Sequence, residues 1–453
     1  MSILKGRRSR DHEALEAVRR HARPLARDAA QDADLVALLA GSRYALLGEA
    51  SHGTDEFYRD RAELTKRLIA EHGFAAVAVE ADWPDALRID RYVRGGSADA
   101  SARDALADFL RFPAWMWRNR VVVEFIEWLR AHNAALPPER RTGFYGIDLY
   151  SLFTSIEAVL AYLDRTDLEA ARRARERYSC FDHFHADSQA YATATRFGLS
   201  TTCESEVVEQ LQELLAARGR NVGSGDAGDS SARFAAEQNA RLVRNAEAYY
   251  RTMFSGRVSS WNLRDRHMVE TLDALKDHLA AGRGEPPRIA VWAHNSHLGD
   301  ASATEMGEAG EWNVGQLVRE RHGDAAVLLG FSTHHGTVTA ARDWDAPHER
   351  MHIRPGLDGS FEALFHEVGI ARFGLILRGN GELAQALSAP RLQRAIGVIY
   401  RPDTERQSHY FRTRLPRQFD AVVHIDRTRA LEPLDRTEPR TEGEAPETYP
   451  SGV

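Results

Sequence analysis

The amino-acid sequence predicts an α/β protein with a central, mostly parallel sheet flanked by helices and a large all-helical insertion that caps one edge of the sheet. Two observations predict this class. Short apolar runs of strand length alternate with longer stretches of helical period, which is the pattern of βαβ units. Several of these runs end directly in polar side chains, as strands do at the carboxyl edge of a parallel sheet. The alternation stops between residues 151 and 285, where the patterns are helical.

Strands are predicted where apolar residues continue over a short run without helical period. The predicted strands are residues 44–47, 74–79, 144–147, 288–293, 325–331, 373–377, 395–400 and 421–425. The first two, with the amphipathic helix between them, form a βαβ unit whose crossover should be right-handed.

These patterns divide the chain into five predicted segments. The opening stretch has helical period, and the final stretch is rich in Pro, Glu, Arg and Thr, a composition typical of disorder. The segments are an N-terminal helical segment (1–40), the first part of an α/β core (41–150), the helical cap (151–285), the second part of the core (286–431) and a disordered tail (432–453).

Composition excludes several classes of protein. The chain of 453 residues has a net charge of −7 and a pI near 6.3, which leaves no basic surface for nucleic acid. No stretch approaches the ~18–20 apolar residues of a membrane span, and the N-terminus lacks the apolar core of a signal peptide. Cys180 and Cys203 are separate in sequence and form no metal motif, which is typical of a reducing compartment. We expect a cytoplasmic protein that binds neither nucleic acid nor membranes.

The turn after the first predicted core strand carries the strongest chemical signal. Strand 44–47 stops at Gly48, Glu49 and His52 follow at once, and a helical pattern begins near Asp55. Strand, polar turn and helix is the arrangement by which α/β proteins place reactive groups at a sheet edge. Glu49 and His52 are therefore candidate catalytic residues.

Arg61 lies on the apolar face of the following helix, one turn from Phe57 and Leu64. A guanidinium in that position should have an anionic partner, for which Glu49 and Glu80 are the candidates. The alternative is an arginine that extends along the helix to reach solvent.

Further polar residues follow other predicted strands and should converge on the same edge. They are Glu80, Asp148, His294 and His297. Each also has a structural explanation, since histidines after strands often cap helices and Asp148 could cap a helix beginning at Leu149. Joint occurrence at several strand ends favours the functional interpretation.

Two other features are weaker evidence for a functional site. Trp115 and Trp117 lie in a Pro-containing break, where their rings either line a cleft or pack in the core. The pair His334–His335 follows a predicted strand and is expected at the rim of the crevice.

Two chemistries suit these candidate residues. In the first, a histidine held by a carboxylate activates a water molecule, and Arg61 or a second histidine stabilises the oxyanion. In the second, histidines and a carboxylate bind a divalent metal that activates the water. We favour the first, with no cofactor, because Arg61 already supplies a positive charge beside the site. The sequence contains neither a G-x-S-x-G elbow nor a phosphate-binding loop.

The residues also resemble a known family. Gly48-Glu49-Ala50-Ser51-His52-Gly53 with Arg61, Val77-Ala78-Val79-Glu80, Trp292-Ala293-His294-Asn295-Ser296-His297 and the block Glu405-Arg406-Gln407-Ser408-His409-Tyr410-Phe411 are similar to blocks of the erythromycin esterase family. The resemblance spans roughly residues 40 to 430. It implies a hydrolase of the superfamily that opens macrolide lactones, an antibiotic-resistance activity.

In that family, the residue matching His52 is taken to activate water without a metal, and those matching Glu49, Glu80, Arg61 and His294 complete the site. Distant relatives that are metal-dependent proteases or haem binders keep two alternatives open. These are a metal-dependent hydrolase and a non-catalytic small-molecule or haem-binding protein.

We therefore predict hydrolysis of a small-molecule carboxylic ester or lactone. His52 is the predicted base, Glu49 or Glu80 orients it, and Arg61 with His294 stabilises the tetrahedral oxyanion. Contacts with the substrate are expected from Asp148, His297, Trp115, Trp117 and His409.

Overall fold

The computed structural model describes residues 2–184, 187–220, 227–254, 256–284 and 286–435. Most of the tail predicted to be disordered, residues 436–453, lies outside this described part. The strands, in chain order, are β1 (Arg23–Pro24), β2 (Tyr44–Leu47), β3 (Ala76–Asp82), β4 (Gly143–Asp148), β5 (Ile289–Trp292), β6 (Ala326–Ala340), β7 (Glu349–Ile353), β8 (Arg372–Ile376), β9 (Arg391–Arg394), β10 (Tyr410–Thr413) and β11 (Ala421–Thr428).

Helices cover both faces of the sheet. They are α1 (Ser2–His21), α2 (Ala33–Ala40), α3 (Asp55–His72), α4 (Trp83–Val93), α5 (Ala102–Ala105), α6 (Arg120–Ala134), α7 (Leu152–Thr166), α8 (Leu168–Tyr178), α9 (Ser188–Arg196), α10 (Glu204–Arg220), α11 (Ala227–Thr252), α12 (Arg257–Arg283), α13 (Asn295–Leu298), α14 (Glu305–Glu308), α15 (Val314–His322), α16 (Phe361–Glu367), α17 (Gly381–Ala386), α18 (Glu405–Ser408) and α19 (Leu415–Gln418). Among the described residues, no helix combines the length and the apolar character that a membrane span requires.

The described strands form one nine-stranded sheet with the order β1-β8-β11-β6-β2-β5-β3-β4, and β7 pairs with β6. All neighbours from β11 to β4 are parallel, whereas β1, β7 and β8 pair antiparallel at one side. The predicted α/β class with a mostly parallel central sheet is therefore confirmed. Strands β9 and β10 form a separate antiparallel hairpin.

Alternate residues of the central strands point into two hydrophobic cores. Leu46 of β2 packs with the core that includes α7, α11 and α12 residues, whereas its neighbour Leu47 packs with residues of α3 and α6. Because both faces are covered, the strand reads as a continuous apolar run rather than an alternating one. That is why the sequence identified it so clearly.

Two strand predictions differ from the structure. Residues 395–400 form no strand, although they are apolar and largely buried. Their backbone bonds to loops instead, since the amide of Ile396 donates to Ala50 and that of Tyr400 donates to Ala341. β6 continues to Ala340, past its polar residues 332–335, because β11 and β7 pair with this extension.

The predicted cap region consists of α7 to α12, between Leu152 and Arg283. Its division from the core as a separate domain stays a prediction. Within it, Cys180 and Cys203 form a disulfide with their Cα atoms 6.0 Å apart. The expectation that the two cysteines are unpaired, as in a reducing compartment, is therefore wrong, because the chain between α8 and α10, which includes α9, brings them together.

Candidate active site

The turn after β2 is held tightly against neighbouring strands. The amide of Gly48 donates to the carbonyl of Leu329, and the amide of His52 donates to that of Ile396. A side chain at Gly53 would overlap the backbone of Thr339. The backbone contacts therefore fix the direction in which the Glu49 and His52 side chains leave the sheet.

Glu49, His52 and Arg61 form a buried cluster. Nδ1 of His52 lies 2.9 Å from Oε1 of Glu49, and Nη2 of Arg61 lies 2.7 Å from Oε2 of the same carboxylate. Arg61 comes from the buried face of α3 and its guanidinium lies over the ring of Tyr58, 4.5 Å from the centroid. Arg61 is 1% exposed, so the predicted ion pair is correct and the solvent-reaching alternative is not.

Glu80 lies near the end of β3 and anchors the next group of side chains. Its Oε1 accepts a hydrogen bond from Nη2 of Arg264 at 2.6 Å, and its Oε2 accepts one from the backbone amide of His294 at 2.8 Å. Arg264 also donates from Nη2 to Asp148 at 2.8 Å. Asp148 therefore pairs with Arg264 rather than capping a helix, since α7 begins only at Leu152.

His297 lies between two carboxylates. Its Nδ1 is 2.9 Å from Oδ1 of Asp265, and its Nε2 is 3.3 Å from Oε1 of Glu80. The ring stacks on Trp261 with centroids 4.5 Å apart. His297 thus links the end of β5 to α12.

The rings of His52 and His294 face each other with centroids 4.9 Å apart. Nδ1 of His294 accepts from the amide of Ser296, so the proton of a neutral ring is on Nε2. Nδ1 of His52 faces a carboxylate and so carries the proton, which leaves Nε2 as an acceptor. Both Nε2 atoms are buried, and neither has a hydrogen-bond partner among the described residues. The two neighbouring rings therefore offer one acceptor and one donor.

Burial and charge set the protonation states around this pair. Burial and the neighbouring His52 lower the pKa of His294, so its ring is neutral at pH 7. Burial opposes ionisation of Glu80, but His297 and Arg264 outweigh it and lower the pKa of this carboxyl. Burial likewise opposes the charge of His297, but Asp265 and Glu80 raise its pKa to about 9.

This raised pKa makes folding stability depend on pH. The folded-state pKa of His297 lies above the ordinary value of 6.5, so its stabilising effect is complete below pH 6.5 and is lost as the pH rises through about 9. At about 1.4 kcal/mol for each pKa unit, the effect is on the order of 3 kcal/mol. We expect the urea midpoint to fall between pH 6.5 and 9.5, and to fall less in His297→Gln. An equal fall of the urea midpoint over this pH range in the two proteins would contradict the assignment of the raised pKa to His297.

The site is closed to solvent, because His52 and His294 are both 0% exposed. A cavity beside Ser296 is lined in addition by residues such as Trp261, Met306 and Phe411. Its volume is about 20 Å³, which is enough for a water molecule but not for an ester substrate. A substrate can reach His52 only if the covering elements move.

Three of the predicted substrate contacts lie elsewhere. Trp115 and Trp117 are each 2% exposed and pack in the core, where Trp117 meets Phe109 and Phe144. His409 accepts from the amide of Arg401 through Nε2 and packs on Tyr400. The structure does not bring these three side chains to the His52–His294 pair, because core packing and the α18–β10 turn hold them. Their contact with a substrate remains untested.

Arg264 and Asp265 are site residues that the pattern of strand ends does not identify. Both are fully buried on α12 and hold Glu80, Asp148 and His297. They follow no strand, so the rule based on strand ends cannot find them. The available signal was the run of charged residues at 264–267 in a helix long enough to cross the sheet edge.

Histidines and carboxylates of this kind are potential metal ligands. Both carboxylates of the site, however, already pair with a guanidinium: Glu49 with Arg61, and Glu80 with Arg264. Among the described residues, the group of His, Cys, Asp or Glu atoms close enough to share an ion is His334, His335 and Asp426, none of which belongs to this site.

A family model described as erythromycin esterase matches residues 69–428, a range that includes Glu80 and His294 and begins after His52. Erythromycin esterase type II of Escherichia coli is 21% identical over 418 residues, covering 87% of this chain and 92% of that protein.

Three solved structures are similar in fold. A Bacillus cereus protein has a TM-score of 0.75 at 20% identity, covering 94% of this chain and 99% of its own. A succinoglycan biosynthesis protein has a TM-score of 0.74 at 20% identity, covering 93% and 98%. A mutant of erythromycin esterase EreC in its open conformation has a TM-score of 0.63 at 18% identity, covering 87% and 93%.

Proposed function

The chain belongs to the erythromycin esterase family, and from that premise we propose that it hydrolyses a small-molecule carboxylic ester or lactone by direct attack of a water molecule. The observation that carries the proposal is the pair of unpartnered Nε2 atoms on His52 and His294, in rings 4.9 Å apart. Direct hydrolysis needs one proton acceptor and one oxyanion donor beside the same carbonyl, and this pair supplies both.

His52 acts as the general base. Its Nε2 removes a proton from the water as the oxygen attacks the carbonyl carbon. The imidazolium that forms is stabilised by the Glu49 carboxylate, 2.9 Å from Nδ1. The proton then passes to the leaving alkoxide, which gives an alcohol and a carboxylic acid.

His294 and Arg61 stabilise the oxyanion. His294 offers the Nε2 proton, since its Nδ1 accepts from Ser296. Arg61 is buried, and its guanidinium pairs with Glu49 through Nη2 at 2.7 Å. Removed from water, such donors stabilise developing charge more strongly than they would in solvent. Glu80 is a positioning residue, because it accepts from the His294 amide.

Substrate entry requires opening of the site. The related EreC structure is described as an open conformation, and the full burial of His52 fits the closed counterpart in this chain. We propose that closure over the substrate excludes bulk water, as lids do in many hydrolases.

A substrate panel tests the proposal. The panel contains p-nitrophenyl butyrate, simple γ- and δ-lactones, and erythromycin, the macrolide in the family's name. We expect release of the free carboxylic acid from at least one of them, detected by mass spectrometry. A folded protein that binds an ester or lactone of the panel without hydrolysing it would favour the non-catalytic alternative.

Chelation separates the two hydrolytic mechanisms. Because guanidinium groups already neutralise the Glu49 and Glu80 carboxylates, we expect exhaustive EDTA treatment followed by dialysis to leave kcat/KM for the cleaved substrate unchanged. Loss of activity on chelation, with recovery on adding Zn²⁺, would instead support the metal-dependent mechanism.

A further inference from the structure

A second cluster of ionisable side chains lies where β6, β11 and α16 meet. Strands β6 and β11 are parallel neighbours, and their register pairs Thr333 with Ile425 and His335 with Arg427. Asp426 of β11 therefore lies beside His334 of β6. The last turn of α16 brings His366 onto the same place, with its ring stacked on that of His334 at a centroid distance of 3.9 Å.

The ring nitrogens of His334 and His335 converge although the two residues are consecutive in a strand. Successive side chains of a regular strand point to opposite faces, yet these Nδ1 atoms are 3.1 Å apart. Gly336 follows with φ of +141°, and a side chain there would overlap the backbone of Thr428. The strand is therefore irregular at Gly336, directly after the two histidines whose rings turn toward each other.

We propose that His334, His335 and Asp426 bind a divalent transition-metal ion such as Zn²⁺, with the fourth position left to a water molecule. Potential ligand atoms of the first three residues all lie within 4.8 Å of one another. Two nitrogen ligands of one tetrahedral Zn²⁺, each bonded at about 2.0–2.1 Å, are roughly 3.3 Å apart. The Nδ1 separation of 3.1 Å between His334 and His335 is close to that spacing.

The surroundings of the cluster suit a metal as well. His334 is buried, so the ligand that anchors the site is shielded from bulk water. His335 and Asp426 are half-buried and His366 is exposed, which leaves a path for the ion. Behind them, Nε2 of His424 lies 3.6 Å from Oδ1 of Asp426, where an outer partner can orient the carboxylate.

This site shares no residue with the proposed catalytic group, and the sequence expectation that His334 and His335 rim the catalytic crevice differs from the contacts found. His334 and His335 instead lie beside each other, beside His366 of α16 and beside Asp426 of β11. The ion would therefore join β6 to β11, and its removal should leave hydrolysis unchanged.

Metal titration of the tag-free full-length chain tests the proposal. The protein is stripped with EDTA, dialysed and titrated with Co²⁺, whose visible absorption reports nitrogen and oxygen ligation, and Zn²⁺ is then added as competitor. We expect one Co²⁺ per chain, displaced by one Zn²⁺, with thermal stabilisation that rises with ion concentration. His52→Ala should bind the ion as the unchanged chain does.

Variants locate the ion. We expect His335→Ala and Asp426→Asn each to weaken Co²⁺ binding by at least about 10-fold. The exposed His366→Ala removes only the neighbour that bonds Oδ1 of Asp426, so it should weaken binding less than either of these changes. The matched control is His352→Ala, an exposed histidine on β7 of the same sheet. Absence of a stoichiometric Co²⁺ or Zn²⁺ complex in the unchanged chain would overturn the proposal. So would equal affinity in folded His335→Ala, His366→Ala and His352→Ala.

Discussion

Replacing His52 with alanine is expected to lower kcat/KM for the cleaved ester or lactone by about 10²–10⁴-fold, the usual contribution of a general base. The physical reason is that no other described side chain presents an unpartnered basic nitrogen to the same place. His294 is the nearest candidate, but its Nδ1 accepts from Ser296 and its Nε2 therefore carries a proton. The measurement is steady-state kinetics on the substrate identified from the panel.

The control for this change is His132→Ala, which removes a histidine that stacks on Trp128 at the end of α6, away from the candidate site. It should keep the activity of the unchanged chain. Circular dichroism and the melting temperature verify that His52→Ala is folded. A folded His52→Ala protein within about three-fold of normal kcat/KM would remove His52 from the mechanism.

The change Arg264→Met is expected to lower the free energy of unfolding by about 3–5 kcal/mol, the usual cost of removing one partner from a buried ion pair. Arg264 is 1% exposed and donates to both Glu80 and Asp148, so its loss removes the guanidinium from two buried carboxylates and leaves Glu80 with His297 as its neighbouring cation. Methionine preserves most of the side-chain volume, so the loss reports charge rather than a cavity.

The matched control is Arg266→Met, two residues along α12. Arg266 is exposed and lies over the ring of Trp312, 5.3 Å from the centroid. Exposed interactions of this kind contribute about 0.5–1 kcal/mol. Urea denaturation of both variants gives the comparison, and equal midpoints would show that the Arg264 pairs do not hold the site together.

Most of the candidate site can be predicted from the sequence. In a parallel sheet that is covered by helices on both faces, each strand is a continuous apolar run, and the polar residues that follow it mark its end. Glu49, His52, Glu80 and His294 were selected as polar residues at the ends of apolar runs. Parallel strands place such residues at one edge, and the structure brings them together there. Their catalytic roles remain predictions for the kinetic tests above.

The remainder could not be predicted from local pattern. Arg264 and Asp265 are polar residues inside a long helix, and local sequence alone does not distinguish such residues from a solvated face. Residues 395–400 have the apolar composition of a strand, but their backbone partners are loops distant in sequence. For Trp115 the local sequence is compatible with both a cleft and the core, and tertiary packing decides between the two positions.

The most direct test of the account is a crystal structure of the protein bound to an alkyl phosphonate, a stable mimic of the tetrahedral intermediate. We expect one phosphonate oxygen at about 3 Å from Nε2 of His52, where the attacking water would lie, and a second at about 3 Å from Nε2 of His294. A phosphonate bound elsewhere, with both imidazoles still buried against each other, would contradict it.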